Sequence, residues 1–338
     1  MELSERKKKI LASVTERYIM TGEPVGSKVL CESLSVSSAT IRNEMSELSN
    51  IGYLEQPHTS AGRIPSQKGF RFYVNNLMDS CDVSDVDKFA VRSRFDNSEG
   101  EPHEILSEAA KLLSEMTGCA AVALTPYDSH AVIKRIELVP VSMKTVLVVI
   151  LMSTGVIKSR ICRCDTEIDM ETAELFYNIA AAHFTGRTAN DFTVADIQTL
   201  AASLGSKAFF MTPLLVAFTE LSKEASRCSV IIEGQSRLLN FKELENDVYS
   251  IFECMKHSAS LVALLNKSND INISIGRESM NRALENVSVI SSKYAVGGKN
   301  VGSIGIIGPV RMDYARIIPY IKYISETVGN VLSEMIDE

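Results

Sequence analysis

Two side chains suited to reading base edges stand next to each other early in the chain, Arg42 and Asn43, among the short hydroxyls Ser38, Thr40 and Ser46. An arginine guanidinium reaches two acceptors of guanine at once, and an asparagine amide pairs with adenine in the same two-pronged way. Small hydroxyls let a helix lie deep in the major groove. That chemistry requires all five residues on the exposed side of one helix. The spacing supplies it: Ile41, Met45 and Leu48 recur at i, i+4 and i+7 as a stripe to be buried, leaving the polar set largely off the stripe. Ser37 stands where an N-cap hydroxyl accepts from an open backbone N–H, and Asn50-Ile51-Gly52 stops the helix with a residue suited to a left-handed cap. Taken alone, the same pattern fits a solvated amphipathic helix.

The flanks separate the two possibilities. Pro24-Val25-Gly26-Ser27 leads into a short helix over 28–33 with Val29, Leu30 and Leu34 to bury, and Leu34-Ser35-Val36-Ser37 is a tight turn into the next helix. Downstream, Tyr53-Leu54-Glu55-Gln56 reads as a strand, 57–62 as a loop tip and Arg63-Ile64-Pro65 as the returning strand. His58, Thr59, Ser60 and Arg63 on this hairpin, with Lys68 just beyond, offer hydroxyls, backbone N–H groups and cations of the kind that hold phosphate or enter a minor groove. Arg71 reads as structural. A first helix over 4–21 buries Ile10, Leu11, Val14, Tyr18 and Ile19. The order predicts a winged helix-turn-helix over residues 1–76 with double-stranded DNA as its partner.

A chain of 338 residues is too long for that module alone, and 45% hydrophobic residues give material for one or two further cores. The net charge of −7 looks unsuited to DNA until it is divided: residues 1–75 carry ten Lys/Arg against eight Asp/Glu, and the remainder carries 25 against 34. DNA contact is therefore expected through the N-terminal part only, and a module so weakly basic needs a second copy beside it. Seven cysteines without CxxC or Cys/His metal spacing suit a reducing cytosol, and Cys162 and Cys164 read as ordinary packing. Residues 2–9 are charged with no apolar leader, and no apolar run approaches a membrane span of about 20 residues, so a soluble cytoplasmic protein without membrane association is expected.

Two distant stretches carry a family resemblance. The segment Pro57-His58-Thr59-Ser60-Ala61-Gly62-Arg63-Ile64-Pro65-Ser66, continued by Lys68-Gly69-Phe70-Arg71-Phe72-Tyr73-Val74, resembles the wing and following helix of the HrcA heat-shock repressors. So do Pro24-Val25-Gly26-Ser27 and Ser38-Ala39-Thr40-Ile41-Arg42-Asn43-Glu44-Met45. Near the other end, Tyr294-Ala295-Val296-Gly297-Gly298 and Gly305-Ile306-Ile307-Gly308-Pro309-Val310-Arg311-Met312-Asp313-Tyr314-Ala315-Arg316 are similar to that family's C-terminal signature. The resemblance implies a dimer that binds an inverted-repeat operator called CIRCE ahead of chaperone operons. It also implies that the GroEL chaperonin keeps the repressor active and that heat diverts GroEL to other clients.

Between these ends, 79–85 is a polar hinge, helices are expected near 85–95 and 104–117, and a loop near 97–100. Strands are expected at 119–124, 132–139, 145–152 and 156–162, the last three as an antiparallel meander. Helices follow at 170–184, 193–203, 212–226 and 242–265, with strand character only at 230–232. Strands return at 271–275, 287–295 and 301–307, with Gly297-Gly298 turning between the last two. A sheet that stops for a stretch of helix and resumes is most simply one domain with an insertion. The fold class is α+β multidomain, with the sheet domain over 77–167 and 237–338 and an inserted, mostly helical unit over 168–236. The names GAF-like for the sheet domain and dimerising for the insertion come from the resemblance. Ile317, Ile321, Ile324, Val328, Val331 and Met335 form a stripe on a last helix that covers the sheet, with Pro319 interrupting its start.

An enzyme is not expected. Gly297-Gly298-Lys299 fails as a phosphate loop, because position 293 is Lys where glycine is needed and position 300 is Asn where Ser or Thr is needed. Pro309 reads as a helix start. His58, His103, His130, His183 and His257 are isolated from one another, so no catalytic residue, metal or cofactor is expected. The alternative regulator is one controlled by a small-molecule effector in the sheet domain.

Overall fold

The computed structural model describes residues 3–79, 81–95, 101–126, 131–164, 167–188, 194–208, 212–225, 228–267 and 269–337. Ser80 of the hinge, the loop at 97–100, His130 and Asp165 lie outside them. Three serines start three helices near the N-terminus. Ser4 Oγ accepts from Lys7 N at 3.4 Å ahead of α1 (Glu5–Thr21), Ser37 Oγ from Thr40 N at 3.2 Å ahead of α3 (Ser38–Asn50), and Ser66 Oγ from Gly69 N at 3.0 Å ahead of α4 (Gln67–Asn76). Each such cap is worth about 1 kcal/mol. The short helix before the turn is a 3₁₀ turn at Ser27–Leu30 continuing into α2 (Cys31–Leu34). Ile10, Leu11 and Val14 of α1 meet Ile41, Met45 and Leu48 of α3 in one buried cluster. Gly52 ends α3 with φ 81, as its position suggested.

The hairpin after α3 pairs β1 (Leu54–Glu55) with β2 (Ile64–Pro65), and Val25 adds a third rung through two backbone bonds of 2.9 Å with Arg63. Gly69 on α4 lies against the hairpin so closely that a Cβ there would sit 2.1 Å from the Tyr53 carbonyl oxygen.

The larger part begins with α5 (Asp85–Phe95), α6 (Pro102–Thr117) and β3 (Ala120–Leu124). It ends with β8 (Ile271–Ile275), β9 (Val287–Val296), β10 (Lys299–Pro309) and α12 (Tyr314–Asp337). With β7 (Val230–Glu233) these strands form an antiparallel sheet in the order β7-β3-β10-β9-β8. Side chains alternate across it: Ala121 and Ala123 face α6 and α12, while Ala120, Val122 and Leu124 face α10 (Val248–Lys256) and α11 (Ser258–Leu265). Gly297-Gly298 makes the β9–β10 turn. Pro319 does not interrupt α12. The Ala315 carbonyl, which its missing N–H would have taken, accepts from Cys81 N at 3.3 Å instead. Pro309 closes β10 rather than opening a helix, and the stretch 242–265 is divided into a 3₁₀ turn, α10 and α11.

The meander departs from the expected placement. Strands β4 (Ile133–Ser142), β5 (Thr145–Met152) and β6 (Ile157–Arg163) pair as predicted, but in a three-stranded sheet of their own. Val146, Val148, Ile150 and Met152 of β5 share a buried cluster with Phe176 and Phe184 of α7 (Met170–Phe184), Leu200 of α8 (Val194–Leu204) and Phe218 of α9 (Thr212–Ala225). A boundary at 168 would cut this core in two. A boundary at 236 would remove β7 from the five-stranded sheet, where Val122 pairs with Ile232. Strand alternation in the sequence shows that one face of the meander is buried, not which sheet it joins.

Candidate nucleic-acid interface

Helix α3 presents two chemically different flanks. On one, Glu44 and Glu47 point toward α1: Lys7 Nζ stands 2.6 Å from Glu47 and 3.7 Å from Glu44, and Arg6 stands 3.8 Å from Glu44. The Lys7 hydrogen bond to Glu47 holds the ammonium pKa above its usual 10.5. Unpaired carboxylates would repel an anionic ligand; here the helix's own two are engaged by cations of α1. On the other flank Arg42, Asn43 and Ser46 are exposed, and among the described residues their side chains have no hydrogen-bonded protein partner. They are open to an external ligand.

Ser38 and Thr40 are committed more locally. Ser38 Oγ shares a hydrogen bond with Ser27 Oγ at 2.9 Å, joining the helix start to the preceding turn, and Thr40 Oγ1 shares one with the cap Ser37 Oγ at 2.8 Å. Across from α3, the hairpin tip is held in shape by Gln56, whose Nε2 donates to the carbonyls of Thr59 and Ala61 at 3.0 Å each. Between helix and tip runs a groove of about 400 Å³ whose lining includes Arg42, Gln56, Thr59, Ser60 and Arg63. The guanidinium groups of Arg42 and Arg63 and the hydroxyl residues Ser27, Thr59 and Ser60 thus line one concave surface. His58 is exposed beside it at the tip. Lys68 lies apart, with Nζ donating to the Ile51 carbonyl at 2.8 Å and standing 4.4 Å from the centre of the Tyr53 ring.

The sequence indicated Arg42, Thr59, Ser60 and Arg63 as site residues but held no sign that they meet. It missed Gln56, which looks like an ordinary polar strand residue until the loop it braces is seen. Nor did it indicate that Glu44 and Glu47 would be neutralised from α1, since that contact spans more than thirty residues of chain. Among the described residues no group of three His, Cys, Asp or Glu side chains could hold a metal, and no helix is long and apolar enough to cross a membrane. The cysteines described are free thiols.

Residues 103–318, more than half of the chain, match the family described as HrcA protein C terminal domain. The heat-inducible transcription repressor HrcA of Acetivibrio thermocellus is 33% identical over 344 residues, covering 99% of this chain and 98% of that protein. The chain belongs to the HrcA family. A second HrcA, from a Thermoanaerobacter species, is 34% identical over 343 residues, covering 100% of this chain and 99% of its own length. A crystal structure described as that of a hypothetical protein at 2.2 Å resolution superposes with a TM-score of 0.69 at 26% identity, covering 98% of this chain and 99% of that one. HrcA is a family of transcription repressors and not of enzymes. The helix and hairpin of this HrcA chain lie within the span shared with those repressors and outside the part matched by the C-terminal domain family.

Proposed function

We propose that the protein is a heat-inducible repressor of chaperone operons, binding an inverted-repeat CIRCE operator as a dimer and kept active by the GroEL chaperonin. The observation that carries the DNA reading is the groove that exposed Arg42 lines together with Thr59, Ser60 and Arg63, with Asn43 and Ser46 exposed on the same helix. In it, residues 1–76 act as a winged helix-turn-helix. Arg42, Asn43 and Ser46 read bases, Ser38 and Thr40 bring the helix start close to the groove floor, and His58, Thr59, Ser60, Arg63 and Lys68 hold backbone. Lys68 uses one of its three N–H donors on Ile51, leaving two for phosphate.

The sheet topology supports a GAF-like domain over 77–125 and 229–338, interrupted by an inserted dimerising unit over 126–228. The outer face of the inserted sheet supports that role. Leu147 stands opposite both Val139 and Ile161, and Leu151 opposite Ile157, so these five side chains share the side away from α7 and α9. Val139, Ile157 and Ile161 are exposed. Apolar surface of that kind on an antiparallel sheet favours a second apolar face against it.

Heat control follows if the repressor's folded state is marginal, since a loss of a few kcal/mol on warming empties it and a chaperonin refills it. Adding GroEL to purified repressor is expected to raise the fraction that binds operator, and a map of occupied genomic DNA is expected to show chaperone promoters released after a heat step. Release by a small-molecule extract at constant temperature would instead establish an effector in the sheet domain, because a ligand that prefers one state shifts operator affinity and melting temperature together.

Removal of a phosphate contact has its own signature. Arg63→Ala and Lys68→Ala are each expected to weaken binding to operator and random duplex alike and to reduce the slope of log affinity on log salt by about one. Titrations at several salt concentrations check this. A loss confined to the operator would assign those side chains to base reading.

A further inference from the structure

Helix α4 belongs to two cores at once. Phe72 packs with the cluster of the DNA-side module, while Phe70, Tyr73 and Val74 belong to the cluster that α6 and α12 form over the five-stranded sheet. The Phe70 ring centre lies 6.3 Å from that of Tyr18 on α1 and 6.1 Å from that of Tyr314 on α12. Around this apolar seam three polar locks close. Gln67 Nε2 donates to the Glu285 carbonyl at 2.7 Å while its Oε1 accepts from Arg277 N at 3.0 Å. Arg311 Nη1 donates to the Ile19 carbonyl near the end of α1 at 2.8 Å, and its Nε to Glu243 at 3.0 Å. Arg71 makes the third lock: Nε donates to Glu278 Oε1 at 2.8 Å, and Nη2 donates to Glu278 Oε2 and, at 2.7 Å, to the Ile273 carbonyl.

The Arg71 lock sits on the free edge of the sheet. Strand β8 is the outermost strand, with β9 on its other side, so the Ile273 carbonyl and the Ile275 N–H are groups that an added strand would take. Arg71 takes the first and Glu278 Oε2 accepts the second at 2.9 Å. Burial pushes the Glu278 carboxyl up, but the Arg71 hydrogen bond, the Ile275 N–H and the charges of Arg71 and Lys267 outweigh it and hold the group below its usual 4.5. The carboxylate is therefore ionised and bonded at neutral pH. The two sequence stretches that resemble the family at opposite ends of the chain, 68–74 and 305–316, meet at this seat through Phe70 and Tyr314. Neither Arg71 nor Arg311 lines the groove between α3 and the hairpin.

We propose that this seat, with Arg71 as its principal positioning residue, holds the DNA-reading module at one fixed angle on the sheet domain and so sets the spacing between half-sites that the dimer accepts. The inference rests on the dimeric operator reading given above. Two modules on loose tethers reach many spacings weakly. Two modules on fixed seats reach one spacing strongly, because the second binding event becomes intramolecular only where the geometry allows it.

The test uses the full-length protein, as wild type, Arg71→Ala and the milder Arg71→Lys, on duplexes carrying one half-site or two half-sites at graded separations. Wild type is expected to favour one separation sharply. Arg71→Ala should bind a single half-site within about twofold of wild type yet lose about tenfold at the best separation, with a flatter profile, and Arg71→Lys should fall between. Amide exchange without DNA should show the Ile275 N–H opening faster in Arg71→Ala while the β3–β10 amides stay protected. An unchanged separation profile would overturn the proposal, as would an equal loss on one half-site and two, which would make Arg71 a direct DNA contact. Failure of wild type to prefer any operator would instead overturn the DNA reading on which the proposal stands.

Discussion

Variants Ile161→Glu and Val139→Glu are expected to give monomers that retain binding to a single half-site but lose about a hundredfold or more on the complete inverted repeat. Both side chains stand opposite Leu147 on the outer face of the inserted sheet, and both are exposed in the single chain, Ile161 at 66% and Val139 at 43%. A carboxylate there costs the monomer little, because no core is disturbed. Opposed to a copy of itself it would bring two unpaired charges into an apolar contact, which costs several kcal/mol. Sedimentation at micromolar concentration reads the assembly directly, and a repeat-versus-half-site titration reads its consequence for DNA. Because isologous contacts place the same face on both partners, each substitution counts twice. A variant that remains a dimer with wild-type affinity would move the interface off this sheet, with the C-terminal helix α12 as the next surface to test.

The second large effect concerns base reading. Arg42→Ala or Asn43→Ala is expected to cost about 1–3 kcal/mol on the operator, with discrimination flattened at particular base positions and binding to random duplex nearly unchanged. Among the described residues neither side chain has a hydrogen-bonded partner, so removing one orphans none of them, and the measured loss should report DNA contact rather than misfolding. Ser38→Ala is a useful contrast: it breaks the 2.9 Å bond to Ser27 at the turn and should lower the stability of the module along with affinity. Competition titrations against single-base operator variants check the assignment. An equal loss on operator and random DNA for Arg42→Ala would place that guanidinium on phosphate.

Much of the N-terminal module is legible in the sequence because its signals are local. The cap Ser37 acts within three residues, and the stripe Ile41, Met45, Leu48 is set by the helical period; the caps Ser4 and Ser66 are equally local but emerged only in the structure. The Gly52 stop needs only its own backbone angle. The strand lengths and the Gly297-Gly298 turn in the C-terminal part belong to the same class, since alternation and turn chemistry are also written over a few residues.

What the sequence alone determined is thus the approximate extent of most elements, the apolar stripe that α3 buries and, through two distant motifs, the family to which the chain belongs; it misplaced the role of Pro309 and Pro319 and the divisions within 242–265. Only the tertiary structure decided what each buried side is buried against. The meander's apolar face could have completed the first sheet, yet it closes on Phe176, Phe184 and Phe218 in a core of its own, and β3 finds β7 across more than a hundred residues. Glu44 and Glu47 would oppose an anionic ligand if unpaired, yet Glu44 is half-buried between Lys7 and Arg6 of α1 and the exposed Glu47 is paired with Lys7. Arg71 reads as structural in the sequence, but its partners, Glu278 and the Ile273 carbonyl at the edge of a sheet two hundred residues away, appear only in the fold. Periodicity fixes orientation within an element because it follows from backbone geometry. Partners are fixed by which apolar faces and charges exclude water together best, and that is a property of the whole folded chain.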